Sequence, residues 1–120
     1  MSQVVMKTGG DLHYFAPWDV KHSDKLYYEL FRCIQRNTGT DVKIKVRCSK
    51  GFTVTEYFGG FGVKEAIDFE LSAIDADKTF GFQLRNDEAI TEGKIVYVQI
   101  AMLYSNLYGE RRLRLFNLAF

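Results

Sequence analysis

The chain has 120 residues, 47% hydrophobic and 26% charged, which suits one globular domain and excludes a disordered chain. Sixteen Lys+Arg against fifteen Asp+Glu leave a net charge of +1, so no global field favours nucleic acid or an anionic membrane. The apolar stretch at 95–107 is too short and too interrupted by polar residues to span a bilayer as a helix. Cys33 and Cys48 are too few for a disulfide scaffold and read as buried thiols of a reducing compartment. Residues 1–6 lack the basic start, long apolar core and cleavage site of a secretory signal. Composition therefore points to a soluble intracellular domain and is silent on its task.

In chain order, two short apolar runs come first, at 4–6 and 12–15, separated by the turn-like Thr8-Gly9-Gly10-Asp11. They read as the strands of an α/β unit. A helix is expected at about residues 24–37, with Ser23 as its N-cap and Asp24 in its first turn. Leu26, Leu30, Cys33 and Ile34 supply its apolar stripe, widened by Tyr27 and Phe31, and Gly39 is the expected left-handed stop.

From residue 41 the period changes to two. Val42, Ile44, Val46 and Cys48 point one way while Lys43, Lys45 and Arg47 point the other. Further strands are expected at 52–58, 66–71, 80–84, 94–105 and 111–118, the fifth of the six being the longest and central. Asn106–Gly109 reads as the turn of a hairpin. Six strands with short loops and no intervening helix imply an antiparallel sandwich or barrel. The α/β-like beginning and the apolar end at 118–120 suggest a piece of a larger protein.

Several motifs invite a chemical reading. Asp75-Ala76-Asp77-Lys78-Thr79 follows an apolar run as the nucleophile and acid/base pair of a phosphatase does. That chemistry also needs an α/β sheet and further metal-binding carboxylates, so a polar turn between strands is the better reading. Gly59-Gly60-Phe61-Gly62 lacks the Lys-Ser/Thr of a phosphate loop and reads as a turn or bulge. His13 and His22 have no cysteine or carboxylate at metal-ligand spacing, and neither cysteine has a His nearby in sequence to act as base. The remaining signal is basic alternation. Lys43, Lys45 and Arg47 recur about 7 Å apart on one strand face, and Arg111, Arg112 and Arg114 form a similar group on the last strand. These are solvated strand faces or an anion-recognition surface, and aromatics beside them could stack nucleic-acid bases.

The chain resembles the cargo-adaptor subunit of the COPII vesicle coat (the Sec-twenty-four branch of its family). The resemblance rests on Thr8-Gly9-Gly10 with Leu12-His13-Tyr14-Phe15, then Lys25-Leu26 through Leu30-Phe31-Arg32. Arg36-Asn37-Thr38-Gly39, Val46-Arg47-Cys48-Ser49-Lys50-Gly51 and Tyr57-Phe58-Gly59 follow in the family's order. Val98-Gln99-Ile100-Ala101, Leu103-Tyr104 and Gly109-Glu110-Arg111-Arg112-Leu113-Arg114 complete it.

The resemblance implies that residues 1–40 end a von-Willebrand-type trunk domain and that 41–120 form a β-sandwich domain. The fold class is then mainly β: an antiparallel β-sandwich with one N-terminal helix and a short α/β tail of a preceding domain. It implies a non-enzymatic role without cofactor, in which acidic ER-export signals of membrane cargo are bound for ER-to-Golgi transport. Such a protein is cytoplasmic, lies peripherally on the ER membrane and on vesicles, and works beside a partner subunit of the inner coat shell. By resemblance, cargo signals of the Asp-x-Glu and Leu-x-x-Leu-Glu kind meet Lys45, Arg47 and Leu103. Lys45 stands where the family pattern has Arg, and a Lys lacks the planar two-pronged grip on a carboxylate. The alternative is a stand-alone sandwich or barrel binding nucleic acid or another polyanion.

Overall fold

The computed structural model describes residues 2–8, 10–59, 68–89 and 92–120. Within them the order is α1 (Ser2–Thr8), a 3-10 turn (Val20–His22), α2 (Ser23–Gln35), β1 (Thr38–Cys48), β2 (Phe52–Phe58), β3 (Asp68–Asp75), β4 (Gly81–Asn86), β5 (Tyr97–Ser105) and β6 (Arg111–Ala119). Among the described residues, no helix is long and apolar enough to cross a membrane.

Four antiparallel strands form one sheet in the order β3-β1-β5-β6, and β2 pairs with β4 in a second. The two sheets meet through aromatics. Tyr57 of β2 lies 5.1 Å from the Phe69 ring of β3, and Phe80 meets Phe69 edge-on at 5.5 Å. Between them Val42 and Ile44 of β1 are 1% exposed, with Val46, Phe69 and Val98 also buried. This is a β-sandwich whose inner layer is the period-two apolar set of β1.

The strands follow the alternation closely, with two adjustments. β1, at 11 residues, is longer than the 9-residue β5, although β5 is interior as expected. β3 begins at Asp68; residues 66 and 67 of the expected strand lie outside the described residues, as do residues 60–62 of the glycine-rich stretch. The β5–β6 turn is as expected: Asn106 N–H donates to Glu110 O at 2.9 Å, and Gly109 takes the left-handed φ of +79° that closes it.

The first 40 residues depart from expectation. Residues 4–6 lie in α1, where Thr8 Oγ1 donates to Val4 O at 2.9 Å, and 12–15 form no strand. The segment lies against the edge strand β3 without pairing to it, and as a helix it satisfies its backbone internally. Ser23 is inside α2, not its cap, because the 3-10 turn feeds the helix and Asp19 N–H donates to His22 Nδ1 at 3.0 Å. The helix ends at Gln35, where Arg36 turns extended. Gly39 is no left-handed stop: it is a buried residue of β1, and a Cβ there would meet Tyr104 Cδ2 at 2.6 Å. Glycine is required by the Tyr104 ring lying on the strand.

The inward face of α2 is also unlike the expected apolar stripe. Leu26, Glu29 and Cys33 are half-buried, whereas Tyr27, Tyr28, Leu30, Phe31 and Ile34 are exposed. Ion pairs decide the orientation. Arg32 reaches Asp77 at 2.9 Å, and Arg36 contacts Asp11, Asp75 (3.3 Å) and Asp77 (3.2 Å), so the turn after β3 holds the polar side of the helix.

Candidate functional site

Directly paired residues of an antiparallel sheet share a face, so the register defines the surface opposite the core. On β1 that face carries Lys43, Lys45 and Arg47, which pair with Leu103, Ala101 and Gln99 of β5. These in turn pair with Leu113, Leu115 and Asn117 of β6. On the other side Lys43 pairs with Glu70 and Lys45 with Asp68 of β3. The outer face thus runs from an acidic column through a basic column to two largely apolar ones.

The basic column is not uniform. Lys43 Nζ lies 2.8 Å from Glu70 and Lys45 Nζ lies 2.9 Å from Asp68. Glu70 raises the Lys43 pKa by hydrogen bonding and charge, keeping the ammonium protonated. Arg47 is exposed and, among the described residues, makes no ion pair. Exposed pairs such as Lys45–Asp68 contribute about 0–1 kcal/mol, so a ligand carboxylate can compete for the lysine.

Arg47 also lines a shallow open pocket of about 470 Å³, with Ser49, Tyr97, Gln99, Asn117 and Leu118 around it. Two of these lining residues are bonded to each other, Gln99 Nε2 donating to Asn117 Oδ1 at 2.8 Å. Cys48 is on the same rim, and burial pushes its thiol pKa up.

Of the residues expected to bind, Lys45 and Arg47 share this face with Leu103, but Leu103 stands beside Lys43 rather than Arg47. Lys43 belongs to this face as the strand alternation indicated, and Leu113 and Leu115 are the neighbours it did not single out. The Arg111–Arg114 group is not a second half of the same surface. Arg112 and Arg114 pair with Tyr104 and Met102, on the opposite face, while Arg111 Nη1 donates to Asp41 O at 2.7 Å. That bond holds a β1 bulge in which Asp41 has a φ of +49°.

The Asp75–Asp77 motif is a turn, as expected. Asp77 N–H donates to Asp75 Oδ1 at 2.9 Å, and both carboxylates face Arg36, just past α2, with Arg32 of α2 also on Asp77. Arg32 and Arg36 hold the Asp77 carboxyl below its ordinary range. In contrast, the folded chain does give His13 partners: Cys33 Sγ at 3.4 Å from Nε2 and Glu29 Oε2 at 3.8 Å from Nδ1. Twenty residues separate His13 from Cys33, so no local spacing announces the pair.

Residues 39–120 match the Sec23/Sec24 beta-sandwich domain. The chain belongs to the Sec23/Sec24 family. Human protein transport protein Sec24C is 33% identical over 120 residues, 99% of this chain and 11% of that protein. Protein transport protein SEC24 A of Arabidopsis thaliana is 36% identical over 108 residues, 89% of this chain and 10% of that one. The crystal structure of the human COPII-coat protein Sec24c superposes with a TM-score of 0.92 at 33% identity, covering 99% of this chain and 16% of that chain. The chain therefore spans about a tenth of the Sec24 relatives it matches.

Proposed function

We propose that this chain is part of a COPII coat cargo adaptor and that its outer sheet face receives acidic sorting signals of membrane cargo. One observation carries the reading: a basic column with an unpaired arginine runs beside an apolar column on one exposed face. A signal of the Leu-x-x-Leu-Glu kind needs such a juxtaposition. Its carboxylate meets Arg47 in a planar two-pronged contact, with Lys45 adding charge once it exchanges Asp68 for the ligand. Its leucines lie on Leu103, Leu113 and Leu115, of which Leu113 and Leu115 are 61% and 53% exposed.

The family match supports the coat setting. In this reading residues 1–40 close a preceding trunk domain and 41–120 are the sandwich. The adaptor acts without catalysis, peripherally on the ER membrane, beside a partner subunit of the inner coat shell. The Asp75 and Asp77 carboxylates, engaged by arginines, are fixed in a structural role.

The test is titration of a fluorescent acidic signal peptide into the coat adaptor carrying this segment, with and without Lys45→Glu and Arg47→Glu together. A charged hydrogen bond contributes about 1–3 kcal/mol, so loss of each contact weakens binding about 5- to 150-fold and reversal of both abolishes it. Unchanged affinity refutes the site.

A further inference from the structure

We propose that Asp11, His13 and Cys33 bind a divalent cation of the zinc class. The Asp11 carboxylate, a His13 ring nitrogen and Cys33 Sγ all lie within 4.8 Å of one another, although they come from two separate parts of the chain. Carboxylate, imidazole and thiolate together are the donor set of a borderline-soft ion such as Zn²⁺ rather than of Mg²⁺ or Ca²⁺.

The separations suit such an ion. A tetrahedral zinc with sulfur at about 2.3 Å and nitrogen at about 2.05 Å puts those two atoms about 3.6 Å apart. Cys33 Sγ and His13 Nε2 stand at 3.4 Å. Behind the imidazole, Glu29 Oε2 lies 3.8 Å from Nδ1, the place of the carboxylate that orients a metal-bound histidine. Three protein donors leave the fourth position to water.

Asp11 also contacts cations: Lys78 Nζ is 2.5 Å from Oδ1, and Arg36 hydrogen-bonds Oδ2. Arg36 Nη2 further donates toward Cys33 Sγ at 3.7 Å. Arg36 Nη2 thus stands between Asp11 Oδ2 and Cys33 Sγ, and an ion bound there takes its place while Lys78 keeps its bond to Oδ1. Charge favours the ion as well. Asp11, Glu29, Asp75 and Asp77 face Arg32, Arg36 and Lys78, an excess of one negative charge. A divalent ion that displaces the thiol proton brings the cluster to neutrality. Once bound, it ties the irregular segment at 10–15 to α2.

Titrating Co²⁺ into the chelator-stripped 120-residue chain reads the site directly. One equivalent should give a near-ultraviolet thiolate-to-cobalt charge-transfer band and the strong visible bands of a tetrahedral ion, both removed by one equivalent of Zn²⁺. Cys33→Ser should abolish the charge-transfer band and Cys48→Ser should keep it. Glu29→Gln should weaken binding about 10- to 100-fold. His13→Gln, checked for its fold by circular dichroism, should lose the band even if Cys33→Ser fails to fold. Absence of a thiolate band at millimolar Co²⁺, or a band that survives both Cys33→Ser and His13→Gln, overturns the proposal.

Discussion

Gly39→Ala places a methyl group where the structure has no room for it. The position is a buried strand residue, and the new Cβ would lie 2.6 Å from Tyr104 Cδ2, 3.3 Å from its Cγ and 3.4 Å from Ile74 Cγ2. The closest contact is about 1 Å short of the 3.5–4.0 Å optimum between carbons, so the Tyr104 ring must move. Tyr104 packs against the Val42–Ile44–Phe69 cluster, and its displacement carries an overpacking cost of about 1–3 kcal/mol. Alanine recovers about 0.5–1 kcal/mol of strand propensity, leaving a net loss of at most about 2.5 kcal/mol. Thermal and urea unfolding of the chain should show it, at about 3–6 °C for each kcal/mol in a chain of this length. In a Tyr104→Ala background the same substitution should cost nothing or stabilise, a coupling of about 1 kcal/mol or more. Equal losses in both backgrounds would refute the steric argument.

Ile44→Ala, at a position 1% exposed between the two sheets, should lower stability by about 2–5 kcal/mol in urea denaturation. Acid should loosen the helix before the sheet. Because Arg32 and Arg36 lower the Asp77 pKa from 3.8, its contribution is present above that value and is lost as pH falls through the lower folded pKa; urea midpoints measured from pH 5 to 2 should drop less for Asp77→Asn. Cys48, whose thiol pKa is raised by burial, should react with a disulfide reagent at pH 7 more slowly than free cysteine does.

The sandwich was legible because strands announce themselves by period two. The alternation of Val42, Ile44 and Val46 with Lys43, Lys45 and Arg47 is the core-facing and solvent-facing split that β1 adopts. The helix was legible in place but not in orientation. Its apolar residues predict an inward stripe of Leu30 and Ile34, yet long-range pairs from Arg32 and Arg36 to the Asp75–Asp77 turn leave both exposed. Residues 4–6 read as strand because Val favours it, yet they form a helix against the edge strand β3, so strand propensity and a nearby edge did not suffice for pairing. Leu103 lands beside Lys43 because register depends on a bulge at Asp41 that the alternation does not encode. The His13–Cys33 approach was invisible for the same reason as any tertiary contact without a local spacing.

In the proposed function the basic column of β1, and not positive charge at large, recognises an acidic cargo signal. The most direct test compares Arg47→Glu with Arg114→Glu, equal changes of charge on opposite faces of one sheet, in peptide binding to the coat adaptor. Recognition by the outer face predicts that Arg47→Glu weakens binding at least 5-fold while Arg114→Glu leaves it unchanged. Equal losses from both substitutions, or no loss from Arg47→Glu, would contradict it.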